Sequence, residues 1–186
     1  LDHGRTYPFR NKGLVIPTLE EVLEAFPEAR LNIEIKRSRE GTEAGVFELL
    51  AKYEASDRVV IAAQEHDILE RYRALDSKLL TSFSKVEVRE FLSRVRSKKD
   101  QSDYRPPGFA LQVPEYFGLR RVLSPCLIDA AHRLQLEVHV WTVNQPLQIA
   151  RLIDWGVDGI MTDNPELALK AVGALEMASL RDDSRE

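Results

Sequence analysis

The feature that most restricts this chain is a repeated alternation between short apolar-rich stretches and longer amphipathic ones. Strands are expected at Arg30 to Lys36, Arg58 to Ala63, Leu79 to Ser82, Phe109 to Val113, Glu137 to Val143 and Val157 to Thr162. Their starts are 28, 21, 30, 28 and 20 residues apart, a mean near 25. That spacing leaves room for a helix and its return between consecutive strands, which makes the strands parallel and the repeat βαβ. Helices are expected at Glu43 to Tyr53, Asp67 to Leu75, Lys85 to Arg96, Pro125 to Leu134, Pro146 to Trp155 and Pro165 to Leu175. A further helix opens the series at Thr18, where Thr18-Leu19-Glu20-Glu21 forms a capping box. Leu19, Val22, Leu23 and Phe26 follow at helical spacing and Pro27 ends the run. Ser124 before Pro125, Asn144 before Pro146 and Asn164 before Pro165 each place a capping side chain ahead of a first-turn proline, and Gly156 closes a helix.

Two architectures use this alternation, an open doubly wound sheet and a closed barrel. No G-x-G-x-x-G follows a strand, so nothing points to a dinucleotide-binding sheet. Polar and aromatic groups at the strand ends, Glu34 with Lys36, Gln112 and Trp141, fall on the set that faces inward in a barrel, where barrel enzymes build their sites. The expected fold is therefore α/β, a (β/α)8 TIM barrel with about six of its βα units in this chain. A whole barrel has roughly 250 residues, and the chain has 186. One partial-barrel domain is expected over 1–178, followed by a charged tail at 179–186, with Leu1 to Pro17 and Lys98 to Gly108 as loop and solvated connection. A net charge of -4 without a basic stripe gives no reason to expect a nucleic-acid partner. The apolar runs fall well short of the roughly 20 residues that cross a bilayer, so the chain as given reads as soluble. Cys126 is the only cysteine and cannot form an internal disulfide.

Asn32-Ile33-Glu34-Ile35-Lys36 is the most informative segment. Strand alternation sends Ile33 and Ile35 outward beneath the helices and brings Asn32, Glu34 and Lys36 together inside. An enclosed carboxylate and ammonium each need a partner. A metal cation for Glu34 and an anion for Lys36 would suit phosphate chemistry; a salt bridge between the two serves equally well. Trp141 can offer a flat wall to a substrate, although base rates favour a core tryptophan. Asp163 and Asn164 read as turn and cap residues. His66-Asp67 suggests an acid/base pair, yet Asp67 sits where a helix N-cap belongs. His132 is expected mid-helix, His139 within a strand, His3 in the leading loop, and Cys126 as a small buried residue. No metal-spaced Cys/His cluster or nucleophile elbow occurs.

Four segments in order resemble the glycerophosphodiester phosphodiesterase family: Ile16-Pro17-Thr18-Leu19-Glu20-Glu21-Val22-Leu23, Asn32-Ile33-Glu34-Ile35-Lys36, Trp141-Thr142-Val143-Asn144, and Gly156-Val157-Asp158-Gly159-Ile160-Met161-Thr162-Asp163-Asn164-Pro165. The resemblance implies a TIM barrel that hydrolyses glycerophosphodiesters to an alcohol and glycerol 3-phosphate with a divalent cation, Mg²⁺ or Ca²⁺. It matches Glu34 to a metal ligand, Lys36 to a phosphate-contacting lysine and Trp141 to the glycerol pocket, with Gln112 placed beside them as a substrate-binding residue. The family's His-Arg motif, its following metal-binding Glu and its His-Asp motif have no counterpart, so no catalytic residue is assigned here. His3-Gly4-Arg5 and His66-Asp67 lie too late in the chain to supply them. The chain thus resembles the C-terminal six strands, and alone it is expected to be inactive. Its open edges call for residues before Leu1 or for a partner chain, so a homo-oligomer stays open, as do membrane contact and a cytoplasmic or membrane-associated location. Two other readings are a non-catalytic phosphate-binding or interaction barrel and a related metal-dependent phospholipase.

Overall fold

The computed structural model of the chain describes residues 12–97 and 103–173. In chain order its elements begin with α1 (Leu19–Ala25), β1 (Leu31–Glu34), α2 (Thr42–Lys52), β2 (Val59–Ala62), α3 (His66–Arg73) and α4 (Lys85–Arg96). β3 (Ala110–Val113), a hairpin of β4 (Tyr116–Phe117) and β5 (Arg120–Arg121), α5 (Pro125–His132), β6 (Glu137–Val140), α6 (Pro146–Asp154) and β7 (Gly159–Ile160) follow. Residues 165–173 are helical. The expectations that lie outside the described residues are His3, the start of the leading loop, Lys98 to Ser102 and the tail.

The helices start where local chemistry satisfies their free amides. Thr18 accepts the Glu21 amide at 3.2 Å while Glu21 accepts the Thr18 amide at 2.7 Å, and Ser84 with Glu87 repeats this box at α4. Ser124 accepts the Leu127 amide at 3.3 Å ahead of Pro125. Gly156 takes φ +84°, the left-handed conformation that lets the chain leave α6. Two expected caps are corrected. Glu65, not Asp67, precedes α3, and Asp67 lies inside its first turn paired with Arg71 at 2.8 Å. Gln145 precedes α6 without a side-chain cap bond, because the Asn144 side chain is spent elsewhere, on Thr162 and Asp163.

All strand pairs outside the hairpin are parallel. β1 pairs with β2, Asn32 opposite Val60 and Glu34 opposite Ala62. Ile61 bridges to Thr81 and Ser82 bridges to Ala110, so the expected strand at Leu79 to Ser82 is reduced to two residues. β3 then pairs with β6, Gln112 opposite His139, and β6 with β7, His139 opposite Gly159. The spatial order is β1, β2, the 81–82 bridge, β3, β6, β7, the sequential order of a βαβ barrel wall. Curvature is visible in one contact. β1 and β3 stand three strand spacings apart, about 14 Å in a flat sheet, yet Gln112 Nε2 donates to Asn32 Oδ1 at 2.9 Å. The sheet is therefore rolled, with the face carrying Asn32 and Gln112 concave.

Alternation decides what each face holds. Ile35, Val59, Ile61, Leu111, Val113, Val138 and Val140 are buried on the convex side beneath the helices. They divide between two cores, one built by α1 to α3 around Leu23, Leu50 and Leu69, the other by α4 to α6 around Phe91, Leu127 and Ile149. The 81–82 bridge is the seam between them. Arg73 fastens it, donating to Thr81 Oγ1 at 2.8 Å, to the Ser82 carbonyl at 2.9 Å and to Glu87 Oε1 at 2.6 Å. Gly108 must pass close by: a Cβ there would lie 2.8 Å from the Thr81 carbonyl oxygen.

Candidate active site

Parallel pairing puts the C-terminal ends of all six strands on one rim, so Glu34, Lys36, Gln112 and Trp141 open toward the same end. Glu34 closes β1, and Lys36 lies two residues on. The Lys36 ammonium stands 2.8 Å from Glu34 Oε2, with the two side chains 78% and 34% exposed. The salt bridge that the sequence allowed is thus formed. Exposed to this degree it is worth well under about 1 kcal/mol, so a more highly charged ligand can take either partner.

Behind this pair the concave face carries a chain of polar contacts. The Gln112 amide donates to Asn32 at 2.9 Å and stands 3.3 Å from His139 Nδ1. His139 Nε2 lies 2.8 Å from Glu137 Oε2. A carboxylate can only accept, so this geometry assigns the proton to Nε2 and leaves Nδ1 to accept from Gln112. Gly159 makes room for the ring, since a Cβ there would be 2.7 Å from His139 Cδ2. From the sequence His139 is a strand residue with no visible partner, and Glu137 only marks the start of that strand. The signal was available in their period of two with Trp141, which places all three on one face.

Trp141 is 40% exposed at the rim rather than in the core, because β6 ends at Val140 and Trp141 lies just beyond it. Cys126 is exposed, not buried, since it sits on the outer turn of α5. His132 ends α5 instead of lying within it, and its Nε2 is 2.9 Å from Asp158 Oδ2, which also accepts the Val138 amide. His66 contacts Ser84 Oγ at 3.1 Å beside Glu87, against a fully buried hydroxyl that caps α4, a structural role. Asn164 caps the 165–173 helix through the Leu167 amide, as expected, while Asp163 accepts from Asn144 at 2.9 Å.

Three buried carboxylates surround the rim. Burial pushes Glu87 up, but hydrogen bonds from Arg73 and the Ser84 amide more than offset it and hold the carboxyl below its usual range. Glu43 behaves alike, with burial outweighed by Ser38, its own amide and Arg71. Glu115 is 4% exposed and accepts from Gln148 and Arg151 at 2.7 Å each and from Arg121 at 3.4 Å. A cavity of about 490 Å³ opens between Glu115, Tyr116, Leu147 and Arg151, beside the concave face rather than over Glu34.

A divalent cation would draw on this rim in part. Such a cation takes six or more oxygen ligands. Glu34 offers one carboxylate, and Asn32 already accepts from Gln112. Among the described residues no group of three acidic, histidine or cysteine ligands converges. The described residues therefore do not complete a metal site by themselves.

The fold and the rim agree with the comparisons. The chain belongs to the glycerophosphoryl diester phosphodiesterase family, whose model matches residues 1–167. It is 31% identical over 166 residues to "Probable glycerophosphodiester phosphodiesterase 2" of Mycobacterium tuberculosis, covering 83% of this chain and 59% of that protein. It therefore spans about three fifths of that relative's length. Among solved structures, a glycerophosphodiester phosphodiesterase from Parabacteroides distasonis superimposes with a TM-score of 0.66 at 22% identity, over 86% of this chain and 65% of that one. A phosphodiesterase from Oleispira antarctica, solved with the product sn-glycerol-3-phosphate, gives 0.63 at 18% identity, over 85% and 62%. The structural likenesses confirm the barrel fold.

Proposed function

We propose that this chain forms part of an enzyme that hydrolyses glycerophosphodiesters to an alcohol and glycerol 3-phosphate. The observation that carries the reading is the family match over residues 1–167 together with Glu34 and Lys36 held side by side at the strand-end rim. Bound glycerol 3-phosphate in the Oleispira antarctica relative supports the substrate class. Glu34 would be one ligand of a divalent cation, Mg²⁺ or Ca²⁺, whose chemistry is to polarise the phosphoryl oxygens. Lys36, exposed at the rim, balances phosphate charge. Gln112, fixed by Asn32 and His139, and the exposed face of Trp141 line the glycerol side. His139 is held at both ring nitrogens, so it positions Gln112 and is not the residue that moves the proton.

The test is Glu34→Gln in the whole enzyme of which this chain forms part, with glycerol 3-phosphate release from glycerophosphocholine measured over a metal titration. The change keeps shape and removes only charge at a part-exposed position, so folding survives. Turnover should fall at least about 100-fold and lose its dependence on Mg²⁺ or Ca²⁺. Unchanged metal-dependent turnover refutes the role of Glu34.

A further inference from the structure

The hairpin after β3 has no role in the fold's cores or in the reading above. Its six residues are Tyr116, Phe117, Gly118, Leu119, Arg120 and Arg121. Among the described residues β4 and β5 pair only with each other, and Gly118 turns the tip with φ +60°. Tyr116 is 50% exposed and lines the adjoining cavity, whereas Phe117 at 66% and Leu119 at 104% project at the tip outside it. Leu147, at the start of α6 across the adjoining cavity, is 87% exposed, and Trp141 stands on the same rim. Concentrating large apolar side chains at one convex point in water is unfavourable unless something apolar covers them.

Charge identifies the cover. Arg120 and Arg121 follow the apolar tip directly, and the nearest acid, Glu115, is buried and already accepts from Arg121, Gln148 and Arg151. Arg121 also lies over the Trp155 ring at 4.6 Å and stays 43% exposed, while Arg120 is exposed beside it, so both present charge at the tip. Lys36, Arg37 and Arg39 extend from the same end of the sheet after β1, exposed to solvent. Glu34 and Glu40 accompany those three, so the cationic excess centres on the hairpin itself, where Arg120 and Arg121 stand near Arg151 and run against the chain's overall balance of -4. Aromatic and aliphatic side chains at a protruding tip, flanked by arginine, match the layered chemistry of a bilayer surface, with acyl chains beneath anionic head groups.

We propose that the Tyr116–Arg121 hairpin docks the chain onto anionic phospholipid bilayers, with Phe117 and Leu119 entering the interface and Arg120 meeting lipid phosphate. The strand-end rim then faces the membrane. This association is read without turnover and does not depend on the hydrolytic reading.

The experiment is cosedimentation of the full chain with phosphatidylcholine vesicles, with and without phosphatidylglycerol, across a salt series. The chain should sediment with the phosphatidylglycerol vesicles and release as salt rises. Phe117→Ser with Leu119→Ser should weaken binding at least about tenfold on both compositions. Arg120→Ala should weaken it about fivefold, and only where phosphatidylglycerol is present. All three positions are exposed, and an unchanged circular dichroism spectrum confirms that the variants fold. Failure of the wild-type chain to bind, or binding unaltered by the Phe117/Leu119 variant, overturns the proposal; the second result would place the contact on another part of the rim.

Discussion

Adding one methyl group at Gly159 tests the polar chain on the concave face. A Cβ there would lie 2.7 Å from His139 Cδ2 and 3.1 Å from Cγ, against an ordinary carbon contact of about 3.5–4.0 Å. The ring must retreat by about 1 Å. It has no free direction in which to do so, because Glu137 holds Nε2 at 2.8 Å and Gln112 meets Nδ1 at 3.3 Å. Overpacking costs about 1–3 kcal/mol, and the loss of one hydrogen bond about 1 kcal/mol. Loss of glycine's freedom in the unfolded chain returns about 0.4–1 kcal/mol. Gly159→Ala should therefore destabilise the protein by about 2 kcal/mol and lower Tm by about 4–8 °C for a domain of this size. Thermal and urea unfolding measure both, with the urea slope unchanged. His139→Ala removes the atoms that clash, so in that background Gly159→Ala should cost nothing or stabilise slightly. The resulting coupling of about 2 kcal/mol is the signature. An equal cost in both backgrounds, or a neutral Gly159→Ala in the wild type, refutes the steric argument.

Acid should act through Glu87. Its carboxyl is held below the ordinary 4.5 in the fold, so its contribution is present above that unfolded value and is lost as pH falls through the lowered one. Glu87→Gln should cost about 2 kcal/mol near neutrality, and the Tm gap to wild type should close in acid; a gap that is constant with pH counts against it. Glu115→Ala should cost about 2 kcal/mol, less than the full penalty for a broken buried pair because Arg121 and Arg151 are 43% and 42% exposed and rehydrate. Glu166→Ala, whose pair with Lys170 lies at 80% and 75% exposure, should change urea stability by under about 0.5 kcal/mol.

The barrel wall was legible because each of its parts is encoded locally. Capping boxes, first-turn prolines and period-two alternation placed every helix and the main strands within a few residues. Leu79 to Ser82 was the exception: its sheet role is only two bridges, completed by Arg73 from another element, and no local pattern records such a contact. At the rim, Glu34 and Lys36 were legible because two charges on an inward strand face are costly. His139 was set aside because a lone strand histidine has no partner until Gln112 arrives from β3 and Gly159 clears its ring. The Asn144 and Asp67 caps failed for one reason: a short polar side chain before a helix competes for several partners, and tertiary neighbours decided.

The seam at Thr81 and Ser82 makes the wall mechanically uneven. On one side α1 to α3 enclose their own core, on the other α4 to α6 enclose theirs, and between them run two bridges, the Arg73 guanidinium, the Lys85 amide donating to the Gln64 carbonyl, His66 against Ser84, and the Gln112–Asn32 bond. Cooperativity has to cross that narrow place. Each half is a natural foldon, and the few groups that cross the seam couple their opening: Arg73 at Thr81 and Ser82, and the Gln112–Asn32 bond that ties the rim segments Glu34–Lys36 and Gln112–Trp141 directly to each other.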